Sequence, residues 1–394
     1  MAKTAKKEIA DFSFGELDKQ LSKIKGFETG SIMTTNTFSE VDEWIPTGNY
    51  LLNAQLSGSL FGGIANSRSL GLMGDPGTGK TFLCLNIARE AQKMGYNIIY
   101  CDTEGAVDKN TMLKFGIDPD RLRYQPTKTV TIFMTFVANL LEMLAKARAE
   151  GKTPKIMLFV DSLGMLSTDK ELKDALEGKN AADMGGKAKE LRKLFRVITL
   201  DLTAAKLPLI CTNHVYTGGG AFIPSKESSG GDGPIFAMSV VSFLSIAQLK
   251  EGNSTTKTGV VVTSNLKKSR FTIPEQVKFH ISFANGMNPY VGLENFVSWE
   301  VCGIEKGKFE EKKVGNEKVL EFVSSASPQA RWAIKHLQKT VTSSQLFTAE
   351  IFTEDVLKQL DEKVIKEFFV LPAMGTNEEI VNALEGELKD DSDE

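Results

Sequence analysis

Gly74-Asp75-Pro76-Gly77-Thr78-Gly79-Lys80-Thr81 satisfies the G-x-x-x-x-G-K-[ST] phosphate-loop pattern with no gap and no substitution. The run before it, Ser69-Leu70-Gly71-Leu72-Met73, reads as a short buried strand, and Phe82 to Ala91 carries a helical apolar pattern. Strand, loop and helix therefore follow in the order a phosphate cradle needs. The glycines let successive backbone N–H groups converge on phosphate oxygens, and the helix behind them turns its positive end to the same place. Lys80 adds a mobile cation for the outer phosphates. Thr81 offers a hydroxyl to Mg²⁺, a hard ion that prefers oxygen beside phosphate. The stretch predicts nucleotide binding through Gly74, Asp75, Pro76, Gly77, Thr78, Gly79, Lys80 and Thr81.

The surrounding pattern gives the fold class. From about Ser69 to Ala284 strand-like runs alternate with helix-like ones: Asn97 to Asp102, Lys155 to Asp161 and Leu207 to Thr212. That alternation predicts an α/β fold with a mostly parallel central sheet and helices on both faces. Three later strand candidates, 239–247, 258–265 and 276–283, are expected as antiparallel additions at one edge. We expect an amphipathic N-terminal helix in residues 1–45, with Phe14, Leu17, Leu21 and Ile24 at helical spacing, too short to bury itself and so packed on the core or on a neighbouring subunit. An ATPase core is expected over 46–292 and a smaller mixed domain over 293–384, with helices near 328–339 and 353–369. Residues 385–394 hold six carboxylates and one lysine and read as a disordered acidic tail.

Composition sets the outer limits. A chain of 394 residues with 41% hydrophobic and 25% charged residues is ordinary for a globular protein. No stretch is expected to span a membrane, and the N-terminal lysines have no apolar segment behind them to make a signal peptide, so the expected location is the cytoplasm. Cys84, Cys101, Cys211 and Cys302 are widely spaced and read as buried free thiols. A net charge of −3 leaves any nucleic-acid binding to local patches.

Three strand ends carry the remaining chemistry. Asp161 closes an apolar run, at the carboxyl edge where open α/β sheets place ligands, and with Ser162 beside it is the expected Mg²⁺ carboxylate. Glu104 follows the strand ending in Asp102 and suits a general base that directs water at a phosphate. At the third end Asn213-His214 leads into the glycine- and serine-rich segment 215–233, too polar to form a core and too long to be idle. His214 is placed to sense the terminal phosphate and reposition that loop. A second loop, Ser167 to Gly186, runs into Lys187, Lys189, Arg192, Lys193 and Arg196, and the two together suggest a groove for single-stranded nucleic acid.

In this order the residues resemble the RecA family of recombinases, most closely its bacteriophage UvsX-type members. The resemblance runs from about Leu56 to Leu293 and rests on Phe159-Val160-Asp161-Ser162-Leu163-Gly164, Leu194-Phe195-Arg196, Asn213-His214, Gly230-Gly231-Asp232-Gly233-Pro234 and Lys268-Ser269-Arg270. It implies a RecA-type core that binds ATP and Mg²⁺, with Glu104 as the catalytic glutamate and His214 as the switch. Lys268 and Arg270 would reach a neighbour's triphosphate. The DNA-binding loops would include Lys187, Lys189 and Arg196 in the first, and Gly218, Gly219, Phe222, Lys226, Gly230 and Gly231 in the second. Expected partners are single-stranded DNA, homologous duplex DNA, further copies in a helical filament, and single-strand-binding and mediator proteins, in a bacterial host cell if the chain is phage-encoded. One position departs: where the family stacks a tyrosine on adenine, this chain has Thr111. A hexameric helicase on the same core and a non-hydrolysing regulatory paralogue remain alternatives.

Overall fold

The computed structural model describes residues 19–20, 23–24, 38–179, 185–217, 226–228, 233–250, 256–314 and 317–370. Met1–Glu40 and Val41–Glu394 are separate compact units. Lys19 and Gln20 are helical, whereas Phe14, Leu17, Leu21 and the acidic tail lie outside the described residues.

In chain order the strands are β1 (Trp44–Ile45), β2 (Ile64–Ala65), β3 (Ser69–Gly74), β4 (Asn97–Asp102), β5 (Leu122–Pro126), β6 (Ile156–Asp161), β7 (Leu209–Thr217), β8 (Lys226–Ser228), β9 (Val240–Lys250), β10 (Lys257–Lys268), β11 (Gln276–Ser282), β12 (Gly286–Met287), β13 (Ile304–Val314), β14 (Glu317–Ser324), β15 (Trp332–Ile334) and β16 (Lys339–Val341). The helices are α1 (Tyr50–Ser57), α2 (Lys80–Lys93), α3 (Lys109–Lys114), α4 (Val130–Ala149), α5 (Asp169–Leu176), α6 (Gly186–Ala204), α7 (Gly233–Ala237), α8 (Trp299–Cys302), α9 (Glu354–Leu360) and α10 (Lys366–Phe369).

The main sheet runs β12-β11-β10-β9-β3-β7-β6-β4-β5, with β8 paired to β7. Strands β9, β3, β7, β6, β4 and β5 are mutually parallel, whereas β10, β11 and β12 join antiparallel. This is the expected α/β class, with one correction. The strand near 239–247 is not an antiparallel edge addition: β9 lies beside β3 and parallel to it. The short helix α7 intervenes between β7 and β9.

Burial on both sides explains the strand sequences. All of β3 is buried, as is all but the first residue of β4 and β6, so these strands read as continuous apolar runs rather than alternating ones. Leu83, Ile87 and Ala91 of α2 pack with Tyr100 and Phe159 on one face. Phe133, Val137 and Leu141 of α4 and Leu194, Phe195 and Ile198 of α6 pack with Leu158, Val160 and Cys211 on the other. Helix α4 starts at Thr129, whose side chain accepts from Ile132 N. Contrary to expectation this helix is long and apolar enough, by length and composition alone, to cross a membrane. Here its apolar stripe lies on the sheet.

Two further readings change. The segment 167–186 is not one open loop, because Thr168 and Glu171 form a reciprocal capping box that starts α5. The region 328–339 holds β15, a short 3₁₀ turn and β16 instead of a helix. Trp332, Ala333 and Ile334 are buried in succession, because β15 is flanked by β13 and β16. The helix expected near 353–369 is present as α9 and α10 around a π turn. The C-terminal elements share the main core: Ile304, Trp332, Phe352 and Leu360 belong to the α2-side cluster. The Asp361 carboxylate accepts from Leu60 N at 2.6 Å and Ser59 Oγ at 2.8 Å. All four cysteines are buried free thiols.

Candidate nucleotide site

The phosphate loop leaves the buried end of β3 and enters α2 through Gly79, whose φ of 87° favours glycine. At Gly74 a side chain has no room: a Cβ would lie 2.6 Å from Thr78 Oγ1 and 2.8 Å from Leu244 O. Thr78 Oγ1 donates to Asp75 O at 2.8 Å, which closes the loop on itself. Asp75, Pro76 and Gly77 form its exposed rim. Lys80 is buried, and its ammonium bridges Gly74 O at 2.8 Å and Asp75 O at 2.9 Å. Burial lowers its pKa, opposed by the negative charges of Asp161, Glu104 and Asp75.

Asp161, 6% exposed at the end of β6, gathers hydroxyls from three elements. Thr81 of α2 donates to Oδ2 at 2.7 Å, Tyr100 of β4 to the same oxygen at 2.8 Å, and Thr212 of β7 to Oδ1. Ser162 is fully buried; its N–H donates to Thr103 Oγ1 at 2.7 Å and its hydroxyl to Glu104 Oε1 at 3.0 Å. Among the described residues no group of three or more His, Cys, Asp or Glu side chains is gathered to hold a metal. One hydroxyl and one carboxylate still fit Mg²⁺, which keeps several waters and takes other oxygens from phosphate.

Glu104 Oε1 also lies 3.1 Å from His214 Nε2. His214 is the register partner of Gly74, so it stands directly beside the start of the phosphate loop. Among the described residues its buried Nδ1 has no hydrogen-bond partner, which calls for an explanation. The loop carrying Glu104 is shaped by Asp102: Oδ1 accepts from Glu104 N at 2.9 Å and Gly105 N at 2.8 Å, and Oδ2 from Val107 N at 3.2 Å and Tyr124 OH at 3.0 Å. Thr111, where the resemblance called for a tyrosine, lies in α3 and donates its backbone N–H to Asp108 Oδ1 at 2.7 Å.

Lys268 and Arg270 lie elsewhere. Lys268 pairs with Val241, which pairs in turn with Gly71, so β10 ends towards the sheet edge opposite the phosphate loop. Its ammonium donates to the carbonyls of Ile235 and Phe236 at the end of α7. Arg270 is exposed and close enough to Arg68 to add to the burial that lowers the Arg68 pKa.

Of the expected DNA-binding residues, Lys187 is half-buried and donates to the Gly164 carbonyl. Lys189 and Arg196 are exposed on α6. Lys226 belongs to β8, paired with β7. Gly218, Gly219, Phe222, Gly230 and Gly231 lie outside the described residues.

Sequence reasoning missed Tyr100, Thr212 and the structural duty of Asp102. The signal was there for Tyr100, since a phenol inside a buried strand must find an acceptor.

Residues 15–288, more than half of the chain, match the model of the RecA N-terminal domain. The chain is 28% identical over 285 residues to the Recombination and repair protein of Enterobacteria phage T4, covering 71% of this chain and 69% of that one. It is 26% identical over 313 residues to Protein RecA of Streptomyces coelicolor, covering 78% and 75%, and 28% identical over 279 residues to Protein RecA of Geobacter sulfurreducens, covering 69% and 77%. With a complete phosphate loop on a parallel sheet and a family match across that core, the chain belongs to the RecA family.

Proposed function

We propose that this protein polymerises on single-stranded DNA and pairs it with a homologous duplex, hydrolysing ATP between neighbouring protomers of a helical filament. The observation that carries the reading is the contact between Glu104 Oε1 and His214 Nε2 at 3.1 Å. It joins the carboxylate suited to water activation to the strand β7, whose far end leads into segment 218–225. The relatives called Recombination and repair protein and Protein RecA supply the class of reaction.

In this reading the loop amides and Lys80 hold the triphosphate, and Lys80 exchanges the Gly74 and Asp75 carbonyls for phosphate oxygens. Thr81 and Asp161 would hold Mg²⁺, which when bound neutralises charge on the outer phosphates. Glu104 takes the proton of the attacking water, while Ser162 fixes the carboxylate. As Glu104 turns to that water, His214 loses its partner, and the change passes along β7 towards the DNA. Lys268 and Arg270 of the next protomer complete the site in trans. DNA is gripped through its backbone, so affinity falls with salt and shows little sequence preference. The work belongs in the cytoplasm, that of a bacterial host cell if the chain is phage-encoded, alongside single-strand-binding and mediator proteins.

A strand-exchange assay tests the reading directly. Joint molecules should form with a homologous duplex and ATP, and not with a heterologous duplex. Electron microscopy with single-stranded DNA and a non-hydrolysable ATP analogue should show helical filaments. Closed rings together with unwinding would replace the reading with a helicase, and no DNA-stimulated hydrolysis would leave a regulatory paralogue.

A further inference from the structure

The Asp161 carboxylate accepts from three hydroxyls, and two of these partners are not residues of the phosphate loop. Tyr100 lies on β4 and Thr212 on β7, the strands on either side of β6. A carboxylate offers about four lone-pair sites. Thr81 and Tyr100 occupy Oδ2, and Thr212 occupies one site of Oδ1. Among the described residues, one site on Oδ1 remains without a donor.

The donors are all neutral, and that matters for a group that must serve a cation. A lysine or arginine in the same place would cancel the charge of the carboxylate. Lys80 is near enough for Asp161 to raise its pKa, yet its hydrogen bonds go to Gly74 O and Asp75 O. Hydroxyls hold the carboxylate in place and leave its charge available.

We infer that Tyr100 and Thr212 are positioning residues that lock Asp161 from both neighbouring strands, so that it orients the Thr81 hydroxyl and offers one lone pair to a metal-bound water. With its proton directed at Oδ2, the Thr81 oxygen keeps its own lone pairs off Asp161, where they would be available to Mg²⁺. The Tyr100 ring is itself held, stacked on Phe159 with centroids 5.6 Å apart and planes 19° apart. The phenol is thus fixed by packing, and Asp161 by the phenol.

The inference rests on the reading of Asp161 as the Mg²⁺ carboxylate, and one titration separates the two. Binding of a fluorescent ATP analogue to the full-length protein is followed as Mg²⁺ is raised, with EDTA as the metal-free reference. Tyr100→Phe keeps the stacked ring and Thr212→Val keeps the shape, so each removes one hydroxyl. Each should raise the Mg²⁺ concentration at half-maximal binding about ten- to a hundredfold, the usual cost of losing a hydrogen-bond partner that orients a ligating carboxylate. Binding in EDTA should stay within about twofold of wild type, because the lost bond acts through the metal. Thr212→Ser, which keeps the hydroxyl, should restore the wild-type midpoint. Paramagnetic resonance of Mn²⁺ with nucleotide should show a broadened, less uniform site in Tyr100→Phe. Asp161→Asn should remove the Mg²⁺ enhancement altogether; if it does not, the reading of Asp161 fails. If Asp161→Asn removes it while Tyr100→Phe and Thr212→Val leave the midpoint at the wild-type value and lower only thermal stability, the two hydroxyls are structural and the inference is wrong.

Discussion

If Arg270 works on a neighbour's nucleotide, two inactive variants should repair each other when mixed, and the structure sets how completely. Arg270 lies near Arg68, and Arg68 immediately precedes β3. Strands rise about 3.3 Å per residue, so the level of Arg68 is about 20 Å from the Gly74 end of β3. A guanidinium on its own stem does not span that distance, so Arg270 cannot serve the phosphate loop of its own chain. Arg270→Ala keeps an intact loop and Glu104, and Glu104→Gln keeps an intact Arg270. In a filament with head-to-tail interfaces, an equimolar mixture pairs the intact halves at about one interface in four. Trans arginines are worth about 10³- to 10⁵-fold in hydrolysis, so each variant alone should sit near background. ATP hydrolysis with saturating single-stranded DNA, measured across mixing ratios, should rise to about a quarter of the wild-type rate at equal amounts and fall symmetrically on either side. No recovery at any ratio, or near-normal hydrolysis by Arg270→Ala alone, would refute action in trans.

Glu104→Gln alone should bind nucleotide normally and hydrolyse about 10²- to 10⁴-fold more slowly, read as phosphate release against analogue binding. Asp102→Asn should lower stability by about 2–4 kcal/mol in a denaturant titration, because an amide N–H₂ then faces some of the donors that the carboxylate satisfies. It should also slow hydrolysis indirectly, through the displaced Glu104. Affinity for single-stranded DNA should fall steeply and log-linearly with salt, and equally for unrelated sequences of one length; a flat salt profile would remove the backbone-grip reading.

Local chemistry was readable wherever one stretch of chain settles it. The phosphate loop needs only its own glycines, a strand before it and a helix after it, and all three are present. The α/β class follows from strand-like runs alternating with helix-like ones. What escaped depended on partners distant in sequence. A local pattern makes β9 an edge strand, because its parallel neighbour β3 lies some 170 residues earlier, beyond the reach of that pattern. Residues 328–339 carry enough apolar side chains for a helix, and only pairing with β13 on one side and β16 on the other makes Trp332 to Ile334 a strand.

The two strand-end aspartates show the same division within the site. Asp102 and Asp161 each close a strand of six residues and are register partners on adjacent strands. Both stand at the same edge of the sheet, yet their partners diverge. The sheet order β3-β7-β6-β4-β5 places β6 one strand nearer to the phosphate loop, so Asp161 meets Thr81 of α2 and Thr212 of β7. β4 has β5 on its far side, and Asp102 meets Tyr124 there and the amides of its own loop. One carboxylate thereby gathers hydroxyls from three elements beside the phosphate loop, and the other is consumed in building the turn that carries Glu104. Strand order is a non-local property, and it is strand order that gives two like carboxylates different partners.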